Sequence, residues 1–487
     1  MKSFFKLILL FITVSVASQT NDFTSKIYEN YETYKETSLD KRRIKHQDIQ
    51  PIINALKNKP GFTVNKVGQS IEGRDLTLIS IGSGKNKVFL WSQMHGDEPT
   101  ATQAIFDIFN LLISNDFTSE KETILNSVTL HFLPMLNPDG AEKYTRRNTL
   151  GIDINRDALR LQSPEGRTLK RVRDSLNADF GFNLHDQNIY YNAERTDKPA
   201  TISYLAPAYN YEKDINQVRG DAMKIIVFMN DIIQKYAPGQ VGRYNDAFEP
   251  RAFGDNIQKW GTSTILIESG GYKNDVEKQE IRKLNYVSIL SAIYTIANGR
   301  YKNIPIADYE NIPRNDSKLF DLKIEGATYN LLGKPYTVDI GVKRYEVDNA
   351  DNSDFYNVGR IADLGDLSTF YGYNTFNADG YTIVEGKIYS EVFNAVDDIS
   401  DLDVFKLLKS GFTYLQLETL PENNLEASKP IHLVKAGHQI PELILRPGVN
   451  PTFLLQKNGV NEYAVINGFL IDLKTKKNVL KNALVYR

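Results

Sequence analysis

The sequence predicts an α/β unit, a mixed and mostly parallel sheet with helices on both faces, followed by an antiparallel β-domain. Three observations carry this. Over the first 300 residues, apolar runs of strand length alternate with amphipathic stretches of helix length, the pattern of a covered, largely parallel sheet. From about Arg300 the character changes: 303–316 is rich in Pro, Asn and Asp. Beyond it a period of two takes over, punctuated by Asp379-Gly380, Asn458-Gly459 and Asn467-Gly468, dipeptides suited to hairpin turns. At 487 residues the chain also exceeds what one core usually serves. The boundaries read from these shifts are a leader over 1–19, the α/β unit over 20–300, a linker over 301–316, and a β-rich part over 317–487, one domain or two small ones.

Taken in order, Lys2 and Lys6 precede an apolar run from Leu7 to Val16, and Val16-Ala17-Ser18 offers small residues for cleavage. That is the form of a secretory signal, too short to span a bilayer. No later stretch is apolar and long enough to cross one, so the mature chain is expected to be exported, secreted or periplasmic, without an integral membrane segment. A polar and charged lead-in (25–47), read as a short helical stretch, and a helix (48–58) come next. Strands are expected over 62–71 and 75–81, around the turn Glu72-Gly73-Arg74. Val88-Phe89-Leu90-Trp91 reads as a buried strand, and Ala101, Ala104, Ile105, Ile108 and Leu112 recur at helical spacing behind it. Pro99 suits the first helical position. Further strands are expected over 128–133, 179–184 and 262–267, and helices over 163–177, 212–236 and 276–297. Asn137-Pro138-Asp139-Gly140 reads as a turn.

Composition is that of an ordinary globular protein, 41% hydrophobic and 24% charged. The formal net charge is −2, and no basic run or patch suggests nucleic acid. Cysteine is absent, which removes disulfides, thiolate metal sites and cysteine nucleophiles together. A metal ion in this chain has only histidine and carboxylate ligands to use.

His95 and Glu98 stand in Gln93-Met94-His95-Gly96-Asp97-Glu98-Pro99, between a strand and a helix. The carboxyl ends of strands are where open α/β sheets place their ligands. By itself His-x-x-Glu is also what a surface histidine near a helix start looks like. Of the six histidines, His46 lies in the charged lead-in, His131 lies inside an apolar strand, and His432 and His438 belong to the β-rich part. His185 remains, at the end of the run Phe182-Asn183-Leu184. With His95 and Glu98 it makes a His₂Glu set, which leaves zinc an open coordination position. Glu268 ends another apolar run, Thr264-Ile265-Leu266-Ile267, an awkward place for a carboxylate unless it faces a cleft. There it could take a proton from an attacking water. Arg146-Arg147-Asn148 and Asp153-Ile154-Asn155-Arg156 lie between. Arginine's planar fork suits a carboxylate or a developing oxyanion, although a charged loop reads the same way.

The order and content of these motifs resemble the zinc carboxypeptidases of the carboxypeptidase A type, over roughly residues 67–271. Ser70-Ile71-Glu72-Gly73-Arg74 is similar to that family's lead-in to its first ligand. The resemblance implies one zinc ion per chain on His95, Glu98 and His185, with Asp153 orienting the first histidine. It further implies Glu268 as catalytic base, Arg146 polarising the scissile carbonyl, and Asn155 and Arg156 holding the substrate's terminal carboxylate. The family's mobile tyrosine has no clear match; Asp246 falls near its place and Tyr244 is a loose candidate. Residues around Ala252-Phe253-Gly254-Asp255, where the specificity pocket would be floored, assign no side-chain preference. The expected function is that of an exported carboxypeptidase acting on peptide or protein C-termini. Alternatives on the same fold are an N-acyl amino acid deacylase of the aspartoacylase or succinylglutamate desuccinylase type, a murein peptide hydrolase, and a non-catalytic binding protein.

Overall fold

The computed structural model describes residues 22–422, 425–440, 443–475 and 482–486; the expected leader over 1–19 lies outside them. The chain divides into two compact units, 1–317 and 318–487. No helix among the described residues is long and apolar enough to cross a membrane.

The first unit is built on strands β1 (Thr63–Gln69), β2 (Asp75–Ile81), β3 (Asn86–Ser92), β4 (Val128–Leu133), β5 (Phe180–Asp186), β6 (Asn192–Ala193), β7 (Ile202–Leu205), β8 (Val241–Arg243), β9 (Ser263–Ser269) and β10 (Asn315–Asp316). Eight of them form one sheet in the order β1-β2-β4-β3-β5-β9-β7-β8. Its centre, β4-β3-β5-β9, is parallel, and antiparallel pairs flank it. β3 is apolar on both faces because both are covered. Val88 and Leu90 face one core with Phe182, Leu184, Ile265 and Ile267, against the helices Thr100–Ile113, Gln217–Tyr236 and Gln279–Ala297. Phe89 and Trp91 face a second core, with Leu169 and Val172 of Pro164–Leu176 and Phe253 and Ile257 of Phe253–Lys259.

Several local readings are revised. Pro99 is the residue before the helix rather than its first position. Asn137-Pro138-Asp139-Gly140 opens a short helix, Pro138–Glu142, with the Asn137 side chain accepting from Gly140 N; an Asx cap and a turn share the same residues. The polar lead-in includes the helix Tyr31–Tyr34 and buries Ile27, Tyr31, Tyr34, Leu39 and Ile44 in the first core. Residues 303–316 are not a linker. Tyr309 and Ile312 are buried in that core, the Tyr309 hydroxyl accepts from Ala206 N, and β10 pairs with β6. Spaced Pro, Asn and Asp residues hid two buried apolar side chains, so the first unit extends beyond 300.

The second unit contains the antiparallel sheet that the alternating runs predict, joined from Phe355–Gly365 through Lys334–Asp348, Leu319–Leu331, Thr382–Val384, Phe453–Lys457 and Val460–Ile466 to Phe469–Asp472. Asn458-Gly459 and Asn467-Gly468 take left-handed conformations and close its hairpins. Asp379-Gly380 does not close one: Tyr371–Asn377 and Thr382–Val384, on either side of it, both pair in parallel with Leu319–Leu331. A smaller sheet of five strands has mostly parallel pairs, crossing over through the helix Val404–Lys409.

His432 of that sheet is fully buried; Nδ1 accepts from Leu484 N and Nε2 meets Thr452 Oγ1. Burial lowers its pKa to about 3, below the ~6.5 of an unfolded histidine. The neutral ring therefore contributes stability that is complete above about pH 6.5 and is lost as pH falls. By pH 5 the loss is about 2 kcal/mol. Urea unfolding at pH 7 and pH 5 should show it, and His432→Gln should remove that part of the difference. An unchanged difference in the variant would contradict the account.

Candidate active site

Strand alternation and register build the site. Phe182 and Leu184 face the first core, so Asn183 and His185 face the other way. In the β5/β9 register His185 is the partner of Glu268, which places the two side chains on one face about 4.8 Å apart along the sheet. β3 is the next neighbour of β5, and the turn after β3 brings His95 and Glu98 to the same end. That turn is braced by close contacts. Gln93 is left-handed (φ 51°), a strained conformation for a residue with a side chain, and its Nε2 donates to Gly96 O. A Cβ on Gly96 would meet the Gly140 carbonyl carbon at 2.0 Å, so only glycine allows the turn to lie against that helix. Leu136 N and Asn137 N donate to Ser92 O and Gln93 O, tying the β4 exit to the β3 exit.

His95, Glu98 and His185 converge, all buried. Nδ1 of His95 is 2.8 Å from Glu98 Oε1, Nδ1 of His185 is 2.7 Å from Glu98 Oε2, and the two Nδ1 atoms are 3.2 Å apart. Ligands about 2.0–2.2 Å from one tetrahedral ion stand roughly 3.3–3.6 Å from each other; these donors are slightly closer. Two imidazoles and a carboxylate turned onto one point, without thiolates, fit zinc.

Asp153 is the hub behind this set. Oδ1 accepts from His95 Nε2 (3.1 Å) and Asn155 N (2.9 Å), and Oδ2 accepts from the Arg146 guanidinium at 3.0–3.1 Å. A carboxylate on the far nitrogen of a ligating histidine fixes its tautomer and ring orientation. Arg146 also reaches Glu98 Oε1 at 3.3 Å while its side chain stays 42% exposed, so it faces both ligands and solvent. Arg147 does not: its guanidinium donates to Gly151 O at the surface. Asn148 holds this loop, accepting from Leu150 N and Ile152 N and donating to Glu165. The Ser70–Arg74 stretch is bracing, with Ser70 Oγ, Glu72 N and Arg74 all donating to Asp139.

The ionisable groups of the site shift one another. Burial works to raise the Glu98 carboxyl, but the two imidazoles beside it hold it well below the usual range. Burial works to lower His95, yet Glu98 and Asp153 raise it to about 9. Glu268, on the adjoining strand, is pushed well above an ordinary carboxyl, first by burial and then by the Glu98 charge. A carboxylate so destabilised is a better proton acceptor.

Asn155 and Arg156 follow Asp153 in a single 3₁₀ turn. Asn155 Oδ1 accepts from Phe253 N, and Arg156 Nε is 3.5 Å from Glu249 Oε2. The Arg156 side chain is 36% exposed, so its charge is not a buried one waiting for a partner. Asp255 lies close by; burial raises its carboxyl to about 7 although Arg156 acts against this. Tyr244 is near the site: burial and then the Glu268 charge raise its hydroxyl above the usual tyrosine value, and its ring meets Tyr191 edge-on at 6.3 Å. Asp246 instead pairs with Lys213 and Arg219. Tyr191 and Glu249 carry no motif of their own; only the fold brings them here.

Residues 49–197 match the family model described as zinc carboxypeptidase. Over these residues the chain is similar to the zinc carboxypeptidases. Carboxypeptidase E of Caenorhabditis elegans is 33% identical over 122 residues, covering 21% of this chain and 26% of that protein. Carboxypeptidase SOL1 of Arabidopsis thaliana is 27% identical over 175 residues, covering 30% and 35%. The solved carboxypeptidase A of Helicoverpa armigera aligns with a TM-score of 0.43 at 16% identity, over 53% of this chain and 74% of that one. The chain thus spans about a quarter to a third of the length of these two curated relatives. The matched stretch contains His95, Glu98 and His185 but stops before Tyr244 and Glu268.

Proposed function

We propose that the protein is an exported, zinc-dependent carboxypeptidase that hydrolyses the last peptide bond of a chain. The observation that carries this is the convergence of His95, Glu98 and His185 beside Glu268, with Asn155 and Arg156 on the same short turn as Asp153. His95, Glu98 and His185 would hold one zinc ion, which when bound polarises a carbonyl and acidifies a water.

The chain's own groups supply the rest. Glu268 takes a proton from the attacking water at its carboxylate and delivers it to the departing amine. Arg146, held by Asp153, donates to the oxygen that gains charge; one well-placed donor of this kind contributes roughly 3–4 kcal/mol. Arg156 exchanges Glu249 for the terminal carboxylate of the peptide, and Asn155, anchored on Phe253 N, fixes the turn that presents it. Tyr244 closes the side of the site next to Glu268. Binding the chain end in this way sets the scissile bond beside the metal ligands.

A library of defined tripeptides, incubated with purified protein with and without a zinc chelator, tests the proposal. Release of single C-terminal residues, lost on chelation and regained with zinc, is expected. Turnover of N-acetylaspartate with no peptide cleavage would point to the deacylase alternative.

A further inference from the structure

We propose that Lys278 is a positioning residue for this site, holding in place the strand ends that carry His185 and Glu268 and the helix that follows Glu98. The proposal rests on the carboxypeptidase reading above. Lys278 Nζ is 2.9 Å from Asp186 Oδ2 and 3.0 Å from Ser269 O. Asp186 and Ser269 are register partners on β5 and β9, one step beyond the partners His185 and Glu268. Asp186 Oδ2 also accepts from Thr100 Oγ1 at 2.5 Å, and Thr100 begins the helix two residues after Glu98. One buried ion pair, 7% exposed on each side, therefore ties together the three segments that bear His185, Glu268 and Glu98.

Local structure does not account for the pair. Lys278 is left-handed, φ 52°, a conformation disfavoured for a lysine. It precedes the helix Gln279–Ala297, at the end where the helix dipole repels a cation. It does not cap that helix, because Asp275 already accepts from Gln279 N, Glu280 N and Ile281 N. A buried pair adds little net stability over apolar groups of similar size, whereas losing one partner strands the other charge. What this pair supplies is registration of the ligand and base positions.

The test uses the full chain as Lys278→Met and as the neutral pair Lys278→Met with Asp186→Asn. Zinc affinity is measured by competition with a chelator, ligand geometry by the absorption of the cobalt-substituted protein, and kcat and KM on a tripeptide. Lys278→Met is expected to bind zinc at least about tenfold more weakly, the effect of losing support behind a metal ligand. Its cobalt spectrum should change, and kcat should fall at least about tenfold with KM within about twofold. The neutral pair should melt near wild type but keep the weaker zinc binding and lower kcat. If Lys278→Met does not fold, the neutral pair decides. A neutral pair that folds, binds zinc and turns over as wild type overturns the proposal. Wild-type protein that neither binds zinc nor releases C-terminal residues would instead overturn the carboxypeptidase reading.

Discussion

Glu268→Gln is expected to lower kcat by about 10³-fold, within the range of general acid–base catalysis, while zinc affinity and KM stay close to wild type. The side chain keeps its shape, and none of the metal-ligand distances involves it. Glu268 lies beside the ligand set as the register partner of His185. Burial and the Glu98 charge raise its pKa, so the amide relieves a destabilised charge and the fold should tolerate it. Steady-state kinetics with a zinc-binding measurement on the same sample would check this. A variant within a few-fold of wild-type kcat would remove Glu268 from the proton transfer.

His185→Ala is expected to abolish both metal binding and turnover. It removes one of three ligands and, among the described residues, leaves Glu98 with His95 and Arg146 as its close nitrogen partners. Burial still weighs against the Glu98 charge, so the carboxylate should take up a proton more readily and bind metal poorly. Metal content after dialysis against a weak chelator should fall from about one zinc ion per chain to near zero. Asn183→Ala, on the same strand and face but outside the ligand set, separates this loss from a general disturbance of β5. Zinc content near one in His185→Ala would mean that the ion is held elsewhere.

The positions of these residues were legible in the sequence because each ends or follows an apolar strand. Val88–Trp91 and Thr264–Ile267 are largely apolar and read as buried, as do Phe182 and Leu184 about Asn183, so a charged or ionisable residue at their exits stands out. Pairing was not legible. Nothing local states that β3, β5 and β9 are neighbours, which brings His95, His185 and Glu268 together. In the sequence only the family resemblance favours Arg146 over Arg147, and the Asp153 contacts supply a physical reason for it. The burial of Tyr309 and Ile312 was masked by surrounding prolines and polar residues. Lys278 escaped because a charged residue in the first turn of an expected helix ordinarily sits in solvent. The parallel crossover through Val404–Lys409 escaped because a six-residue helix leaves too short a periodic signal.

The central claim, that the site acts at a chain end, is tested most directly with one peptide made with a free and with an amidated C-terminus. Arg156 is partly exposed and paired with Glu249 at 3.5 Å, so a substrate carboxylate can displace that partner without unburying a charge. The free peptide should be cleaved at its last bond, and amidation should cost about 10²–10³-fold in kcat/KM, the several kcal/mol typical of removing a charge-assisted hydrogen bond in a cleft. Arg156→Ala should lower cleavage of the free peptide to the level of the amidated one and abolish the difference between them. Equal cleavage of the two peptides by the wild-type protein would contradict the account and make the site that of an endopeptidase.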